Sequence, residues 1–285
     1  MTSIFAPGLL QGRRILVTGG GTGLGKSMGL RFLELGAKLV ICGRRAGVLA
    51  GTAAEFRAAL PQADVTEKSC DLRDPEAVET MISDVWKDAP LDVLVNNAAA
   101  TFIAQTHKLS ARAVDAVLAS TLHGALYATL AAGRRWIESG HKGVVLSILS
   151  TSTITGRAFT VPSAIAKSGL LAMTRSLAVE WGPRGVRLVA IAPGPFPTPG
   201  ASAQLHPEAR GRTAVTLAEN PLGRTGRHAE LADLACFLVS DAGAYVNGEM
   251  VTIDGGQHLR MSGAEDLLRW SDEDWTAYRA GRGVS

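Results

Sequence analysis

Seven short runs rich in valine, isoleucine and leucine recur along this chain, and they constrain its fold more than any other feature. They lie at 14–19, 38–43, 64–71, 91–98, 143–149, 186–194 and 249–256. Stretches with helical spacing of apolar residues alternate with them, at 24–35, 45–60, 75–87, 110–138, 163–181 and 228–240. Strands that are apolar on both faces and alternate with helices indicate a parallel sheet that is covered on both sides. The sequence therefore predicts a doubly wound α/β fold, with seven parallel strands and helices on both faces.

The pattern continues along the whole chain without a break. No Pro/Gly/Ser-rich linker, charge block or low-complexity run divides the 285 residues, so we expect a single domain over 1–285. Residues 199–226 are long and poor in strand signal, as a lid over a substrate is. Residues 257–285 follow the last predicted strand as a C-terminal extension.

Composition and charge argue against several classes of partner. No apolar run approaches the roughly 20 residues of a membrane span, and the first residues lack the order of a signal peptide. The chain ends in Gly-Val-Ser rather than in a peroxisomal import signal, so we expect a cytoplasmic protein. The net charge of +3 is spread over short arginine pairs, which does not favour nucleic-acid binding.

The three cysteines, Cys42, Cys70 and Cys236, are far apart in the sequence and form no Cys-x-x-Cys motif. Each lies in an apolar run, and free cysteine is one of the most buried residue types. We therefore interpret all three as core residues, and the sequence predicts neither a disulfide nor a metal site.

A glycine-rich segment, TGGGTGLGKS, follows the first predicted strand and leads into a predicted helix. Glycines in that position let the backbone turn tightly and approach a pyrophosphate, which meets the free N–H groups at the helix start. The segment predicts a dinucleotide site in a Rossmann-type fold. The residues expected at the phosphates are Thr18, Gly19, Gly20, Gly21, Thr22, Gly23, Leu24 and Gly25.

The next three strand ends add to the same predicted site. After the second strand come Arg44 and Arg45, where an NAD enzyme would have an acidic residue, so the pair favours NADP(H) through its 2′-phosphate. The alternative is a solvated basic pair. Asp71 and Leu72, after the third strand, are placed to border the adenine. After the fourth, the sequence NNAAA brings small residues to the cofactor, and the expected contacts are Asn97, Ala98 and Ala99.

These motifs, together with the Lys167 helix and the Pro-Gly-Pro of 193–195, resemble the short-chain dehydrogenase/reductase family over nearly the whole chain. Finer features resemble its 2,4-dienoyl-CoA reductases, which act in fatty acid metabolism: GGGTGLGK, CDLRDP, NNAAATFI, VPSAIAKSG, EWGPRGVR, APGPFPT and the tail at 262–275.

The resemblance implies further roles for individual residues. Lys167 would hydrogen-bond the nicotinamide ribose, and the nicotinamide carboxamide would be oriented by Pro193, Gly194, Pro195, Phe196 and Thr198. Arg73, Phe102 and Ser110 match positions that contact the acyl-CoA. Helices 110–138 and 163–181 match the faces through which the family forms tetramers.

The departures from the family pattern concern its catalytic groups. Ser163 stands four residues before Lys167, where most members have a tyrosine. Thr101 and Ser152 replace an asparagine and a tyrosine of the mitochondrial dienoyl-CoA reductases, and Thr121 replaces the family's helix asparagine. The three tyrosines of the chain lie in none of these motifs.

The missing phenol restricts the chemistry. Reduction of a ketone produces an alkoxide that must take a proton from an acid, and general acid help is worth roughly 10²–10⁴-fold in rate. In a conjugated thioester the charge spreads onto the thioester oxygen, which needs hydrogen-bond donors, each worth roughly 10²–10³-fold. Hydroxyls of Ser163, Ser152 and Thr101 are candidates for these donors, so the sequence favours enoyl or dienoyl thioester reduction.

Alternatives remain open for each candidate. Ser163 shares a helix face with Lys167, but it is also placed to cap its own helix. Ser152 lies in STSTIT, which is either the floor of an active site or a polar loop. For the whole chain, the first hypothesis is an NADPH-dependent reductase of an acyl-CoA thioester. The second is a carbonyl or alcohol oxidoreductase, and the third is a cofactor-binding protein without turnover.

Overall fold

A computed structural model describes residues 5–200, 220–260, 267 and 269–282. Seven parallel strands form one sheet in the order β3-β2-β1-β4-β5-β6-β7, which confirms the predicted fold class. The strands are β1 (Arg14–Thr18), β2 (Lys38–Gly43), β3 (Val65–Ser69), β4 (Val93–Asn96), β5 (Gly143–Ile148), β6 (Val186–Pro193) and β7 (Met250–Ile253). Each lies within the run that predicted it.

Helices lie between these strands and, in one case, after the last of them. They are α1 (Gly23–Glu34), α2 (Ala46–Ala59), α3 (Pro75–Asp88), α4 (Ala111–Leu118), α5 (Gly124–Ser139), α6 (Ser152–Thr155), α7 (Val161–Trp181), α8 (His228–Val239) and α9 (Asp272–Arg282). Among the described residues, 3₁₀ turns cover Thr106–Lys108, Gly182–Arg184, Asp241–Gly243 and Gln257–Leu259. The prediction of one regular helix over 110–138 was wrong at its centre, because a π turn at Ala119–His123 separates α4 from α5.

The helices form two layers because alternate residues of each strand point to opposite faces of the sheet. On β1, Ile15 and Val17 join a core cluster with Phe32 of α1 and Phe56 of α2. Leu16, between them, joins the other cluster, which includes residues of α3, α5 and α7. Hydrophobic side chains of the strands are thus buried on both faces of the sheet, as expected for a covered parallel sheet.

Local signals explain where several helices begin and end. α3 begins after Asp74, whose carboxylate accepts hydrogen bonds from the N–H groups of Glu76 and Ala77 at 2.9 and 3.2 Å, and Pro75 occupies the first turn. α5 ends at Gly140, which has a φ of +70°. The helical stretch Ala111–Ser139 is long and apolar enough to cross a membrane by length and composition alone, and half of its most apolar window is buried inside the protein.

Two predicted segments are described only in part. Of the predicted lid at 199–226, the structure describes 199–200 and 220–226. Of the predicted C-terminal extension at 257–285, it describes 257–260, 267 and 269–282, including α9. The fold of the rest of these segments therefore stays a prediction.

Candidate active site

A cavity of about 530 Å³ lies at the carboxyl ends of the strands. The strand order reverses between β1 and β4, so the loops after these strands leave in opposite directions and a crevice opens between them. The loops that follow the first six strands all contribute to its lining. One open site therefore combines the predicted cofactor-binding and catalytic segments.

The glycine loop after β1 forms one end of this cavity. Gly19 and Gly23 have φ values of +65° and +53°, a backbone conformation that glycine adopts without strain. A Cβ at Gly25 would lie 2.4 Å from the carbonyl oxygen of Gly19, so only glycine lets α1 start this close to the loop. No side chain caps the start of α1, and its first turn has no acidic residue. The loop and the helix start thus fit the pyrophosphate of a dinucleotide.

Most of the predicted cofactor residues line this cavity. Those that do are Gly19, Gly21, Thr22, Gly23, Leu24, Arg44, Arg45, Asp71, Leu72, Asn97, Ala98, Ala99, Lys167, Pro193, Gly194, Phe196 and Thr198. Four others do not line it: Thr18, Gly20, Gly25 and Pro195. Gly20 and Gly25 are close-packed positions behind the loop, because a Cβ at Gly20 would lie 2.7 Å from Ile41.

Thr18 joins the two strands at the centre of the sheet. Its hydroxyl donates to the carbonyl of Val95 at 3.1 Å and accepts from the N–H groups of Asn97 and Ala98 at 3.0 and 3.2 Å. The amide of Asn97 in turn donates to the carbonyls of Thr18 and Gly19 at 2.9 and 3.2 Å. These bonds fix the loop after β4 against the glycine loop, so Thr18 acts on the site through its neighbours.

Charged residues surround the end of the cavity near β2 and β3. Arg44 and Arg45 are exposed, and neither forms an ion pair with a residue that the structure describes. Arg73 pairs with Asp71: its Nε lies 3.0 Å and its Nη2 2.5 Å from the carboxylate oxygens. This hydrogen bond and charge lower the pKa of Asp71. The pairing of a predicted adenine contact with a predicted acyl-CoA contact is a feature that sequence reasoning missed.

Lys167 lies at the other end of the cavity, in the second turn of α7. The side chain is buried, and its Nζ donates a hydrogen bond to the carbonyl of Ile148 at the end of β5. Burial lowers the pKa of Lys167 to about 8. Lys167 is therefore not a surface lysine, and its ammonium is within reach of deprotonation near neutral pH.

Three hydroxyl groups face the same cavity as Lys167, those of Thr101, Ser152 and Ser163. None of the three hydroxyls hydrogen-bonds to a group that the structure describes. Ser163 does not cap α7, because the N-cap position is Thr160. These three side chains are therefore available as donors to a ligand.

No tyrosine side chain among the described residues lines the cavity. Tyr127 packs against the core cluster under α3 and α5, Tyr245 is fully exposed, and Tyr278 lies on α9. Thr121 does not line the cavity either, since its hydroxyl accepts from the N–H of Ala100 at 3.0 Å. The π turn that contains it presents Ser120 to the cavity instead.

Of the three residues predicted to contact an acyl-CoA, only one lines the cavity. Arg73 lines the cavity, whereas Phe102 and Ser110 do not. Ser110 caps α4, where its hydroxyl accepts from the N–H of Ala113 at 3.2 Å. Sequence reasoning missed Arg157, an exposed cavity-lining residue in the loop before α7. Its only local signal is the preceding Gly156, which has a φ of +66°.

This chain is similar in sequence and in fold to several known proteins. A family model described as enoyl-(acyl carrier protein) reductase matches residues 19–258. An uncharacterized oxidoreductase of Caenorhabditis elegans is 41% identical over 276 residues, which cover 94% of this chain and 88% of the relative. A Bacillus subtilis protein named probable 2,4-dienoyl-CoA reductase [(2E)-enoyl-CoA-producing] is 38% identical, over 88% of this chain and 98% of its own. The crystal structure of a short chain dehydrogenase from Bacillus anthracis superimposes with a TM-score of 0.78 at 37% identity, over 87% of this chain and 98% of the other.

Proposed function

Because this chain belongs to the short-chain dehydrogenase/reductase family, whose members are oxidoreductases, we propose that it reduces a conjugated CoA thioester, a 2,4-dienoyl or enoyl chain, with NADPH. The observation that carries this proposal is the set of three unpaired hydroxyls beside Lys167 in a cavity that no described tyrosine lines. This arrangement supplies donors to a developing oxyanion but not the phenolic acid that ketone reduction requires.

The cofactor end of the cavity supports a nicotinamide dinucleotide. The glycine loop and the uncapped start of α1 would hold the pyrophosphate, and Lys167 the nicotinamide ribose. Arg44 and Arg45 would hold a 2′-phosphate, which supports NADPH over NADH. When bound, the reduced cofactor supplies a hydride.

At the reaction end, the side chains hold the charge that develops on the substrate. Hydride addition at the far end of a dienoyl system moves an electron pair onto the thioester oxygen. Hydroxyls of Ser163, Ser152 and Thr101 donate to that oxygen, and the buried ammonium of Lys167 adds positive charge at this end of the cavity. With a pKa of about 8, Lys167 is also acidic enough to return a proton to the substrate.

The position of the returned proton decides the product. Protonation of the dienolate at C4 leaves a double bond at C2, and protonation at C2 leaves it at C3. The name of the Bacillus subtilis relative specifies the (2E)-enoyl product. Analysis of the product in deuterated water therefore shows which carbon of the substrate faces the proton donor.

For the CoA moiety, Arg73 is the basic residue that we assign to a phosphate, and Phe102 and Ser110 remain assigned to the acyl-CoA from the family pattern. The proposal extends to a homotetramer. Its support is the exposure of apolar side chains on α5 and α7, with Leu130, Ile165 and Val179 being 42, 51 and 79% exposed. Light scattering on the purified protein tests it, and a monomer would contradict it.

The deciding experiment is NADPH oxidation by the purified protein with a 2,4-dienoyl-CoA. The matched variant is Lys167→Met, and the control is Lys142→Met, which removes an exposed lysine. We expect turnover that is lost in the first variant and kept in the second. Faster turnover of simple ketones than of any thioester would assign the protein to carbonyl chemistry. Cofactor binding without hydride transfer to either class would make it a non-catalytic member of the family.

A further inference from the structure

Two of the three cysteines line the nucleotide end of the cavity, a placement that the sequence did not indicate. Cys42 lies near the end of β2, and Cys70 follows the last residue of the neighbouring strand β3. In the parallel register Cys42 lies opposite Lys68, so Cys70 is two positions further along on the same face of the sheet. Both are almost completely buried, with 0% exposure for Cys42 and 6% for Cys70, and both line the cavity wall.

The two thiols belong to the same buried cluster and influence each other's ionisation. Hydrogen bonding between them, with burial, raises the pKa of Cys42, and the same interaction lowers the pKa of Cys70. Cys70 is therefore the better nucleophile of the pair, and Cys42 is next to it. Cys236 differs in both respects, since it lies in the core under α8 away from the cavity and burial raises its pKa to about 12.

We propose that Cys42 and Cys70 form a peroxide-oxidisable thiol pair whose disulfide closes the nucleotide end of the cavity to the cofactor. A nucleophilic cysteine that is reached from solvent and lies beside a second thiol is the arrangement found in redox-sensing proteins. Here the route from solvent runs through the proposed cofactor site, so a bound dinucleotide shields the pair.

The chemistry needs a hydroperoxide as the oxidant and no other co-reactant. The Cys70 thiolate attacks one peroxide oxygen, the O–O bond breaks, and Cys70 becomes a sulfenic acid while the other oxygen leaves as water after taking a proton. Cys42 then attacks the Cys70 sulfur, the S–O bond breaks and a second water leaves. Two thiols and one hydrogen peroxide give one disulfide and two waters.

The strand geometry connects this bond to cofactor binding. On neighbouring parallel strands, which lie about 4.8 Å apart and rise about 3.3 Å per residue, residues two positions out of register are roughly 8 Å apart at Cα, whereas a disulfide usually holds its Cα atoms about 5.5–6 Å apart. Forming the bond therefore draws the ends of β2 and β3 together. Arg44 and Asp71, which line the cavity beside the two cysteines, move with these strand ends.

The test exposes the reduced full-length protein to hydrogen peroxide, with and without saturating NADP⁺, followed by peptide mapping. We expect a Cys42–Cys70 link in the free protein, at least tenfold slower formation with NADP⁺, and at least tenfold weaker NADP⁺ binding until dithiothreitol restores it. Cys70→Ser should form no link. Cys236→Ser is the matched control and should behave like the wild type.

Oxidation of Cys236 as fast as Cys70, or over-oxidation of Cys70 without a link to Cys42, would overturn the proposal that Cys42 and Cys70 form an oxidisable pair. Only the shielding by NADP⁺ rests on the proposed function, because the link forms in the free protein. Calorimetric titration of the reduced protein with NADP⁺ distinguishes failure of the thiol-pair proposal from failure of the proposed function. Cofactor binding without a link refutes the thiol pair, and a link without cofactor binding refutes the proposed function.

Discussion

At one end of the cavity the backbone recognises the ligand, and at the other end side chains do. The nucleotide end consists of glycines with positive φ and of unpaired N–H groups at the start of α1. The reaction end consists of a buried ammonium and three hydroxyls supplied by separate segments. A backbone site is destroyed by almost any added side chain. A side-chain site can lose its phenol and keep its shape, so the chemistry of such a protein changes more easily than its cofactor.

Replacement of the ammonium should give the largest effect on turnover. We expect Lys167→Met to lower kcat by roughly 10³-fold, which is within the range of rate enhancement that a positioned general acid supplies. Its stability should rise. The folded pKa is about 8 against an ordinary 10.5, so burial of the charged form costs about 3 kcal/mol at neutral pH. The lost hydrogen bond to Ile148 offsets about 1 kcal/mol of that gain.

The pH dependence of unfolding checks this assignment. The folded protein binds fewer protons than the unfolded chain between pH 8 and 10.5, so the stability of the wild type rises with pH across that window. Chemical denaturation at several pH values should show this rise in the wild type and not in Lys167→Met. An equal rise in both would show that Lys167 does not titrate as described.

An added methyl group tests the backbone end. A Cβ in Gly25→Ala would meet the carbonyl oxygen of Gly19 and the amide of Asn97, at 2.4 and 2.5 Å, so the helix start must move away from the loop. We expect NADP⁺ affinity to fall by about 100-fold, or roughly 2.7 kcal/mol. In Gly47→Ala, the control in α2, the new methyl meets no atom within 4 Å. Calorimetry with NADP⁺ on both variants gives the comparison, and equal affinities would contradict the backbone site.

Loss of a single hydroxyl tests the side-chain end. Ser163→Ala should lower kcat by about 100-fold, the value of one oxyanion donor, and leave the dissociation constant of NADPH unchanged. Ser168→Ala removes an exposed hydroxyl from the same helix and should have no effect. If Ser163→Ala weakened cofactor binding and left kcat unchanged, Ser163 would be a cofactor-binding residue and not a donor to the substrate oxygen.

The smallest effect on binding should come from replacement of Arg44, the side chain that we assign to the cofactor at the nucleotide end of the cavity. Arg44→Gln is expected to weaken NADPH binding by about tenfold and to leave NADH binding unchanged, because only NADPH has the 2′-phosphate. The control is Arg134→Gln, which removes an exposed arginine of α5 that forms an ion pair with Glu79. Fluorescence titrations with both cofactors measure the ratio. An equal loss for both cofactors would show that Arg44 supports the loop rather than the phosphate.

The two ends also differ in how well the sequence predicted them. Strand bounds, the glycine loop and the Arg44 position follow from local patterns, because each is encoded within about ten consecutive residues. The Asp71–Arg73 pair was missed because neighbouring charges do not reveal their rotamers. Arg157 and the Cys42–Cys70 contact depend on segments that meet only in the folded chain, such as the loop held by the bond from Ala104 N–H to the carbonyl of Phe159.

The π turn at Ala119–His123 makes the reaction end sensitive to the length of the chain. Such a turn holds one residue more than an α turn. Deletion of one residue here would convert the turn to regular α geometry and change which of its residues face the cavity. Ser120 would then leave the cavity, and Thr121 would lose its bond to Ala100. Deletion of one codon would thus change the reaction end of the cavity without changing any cavity-lining side chain in the other segments.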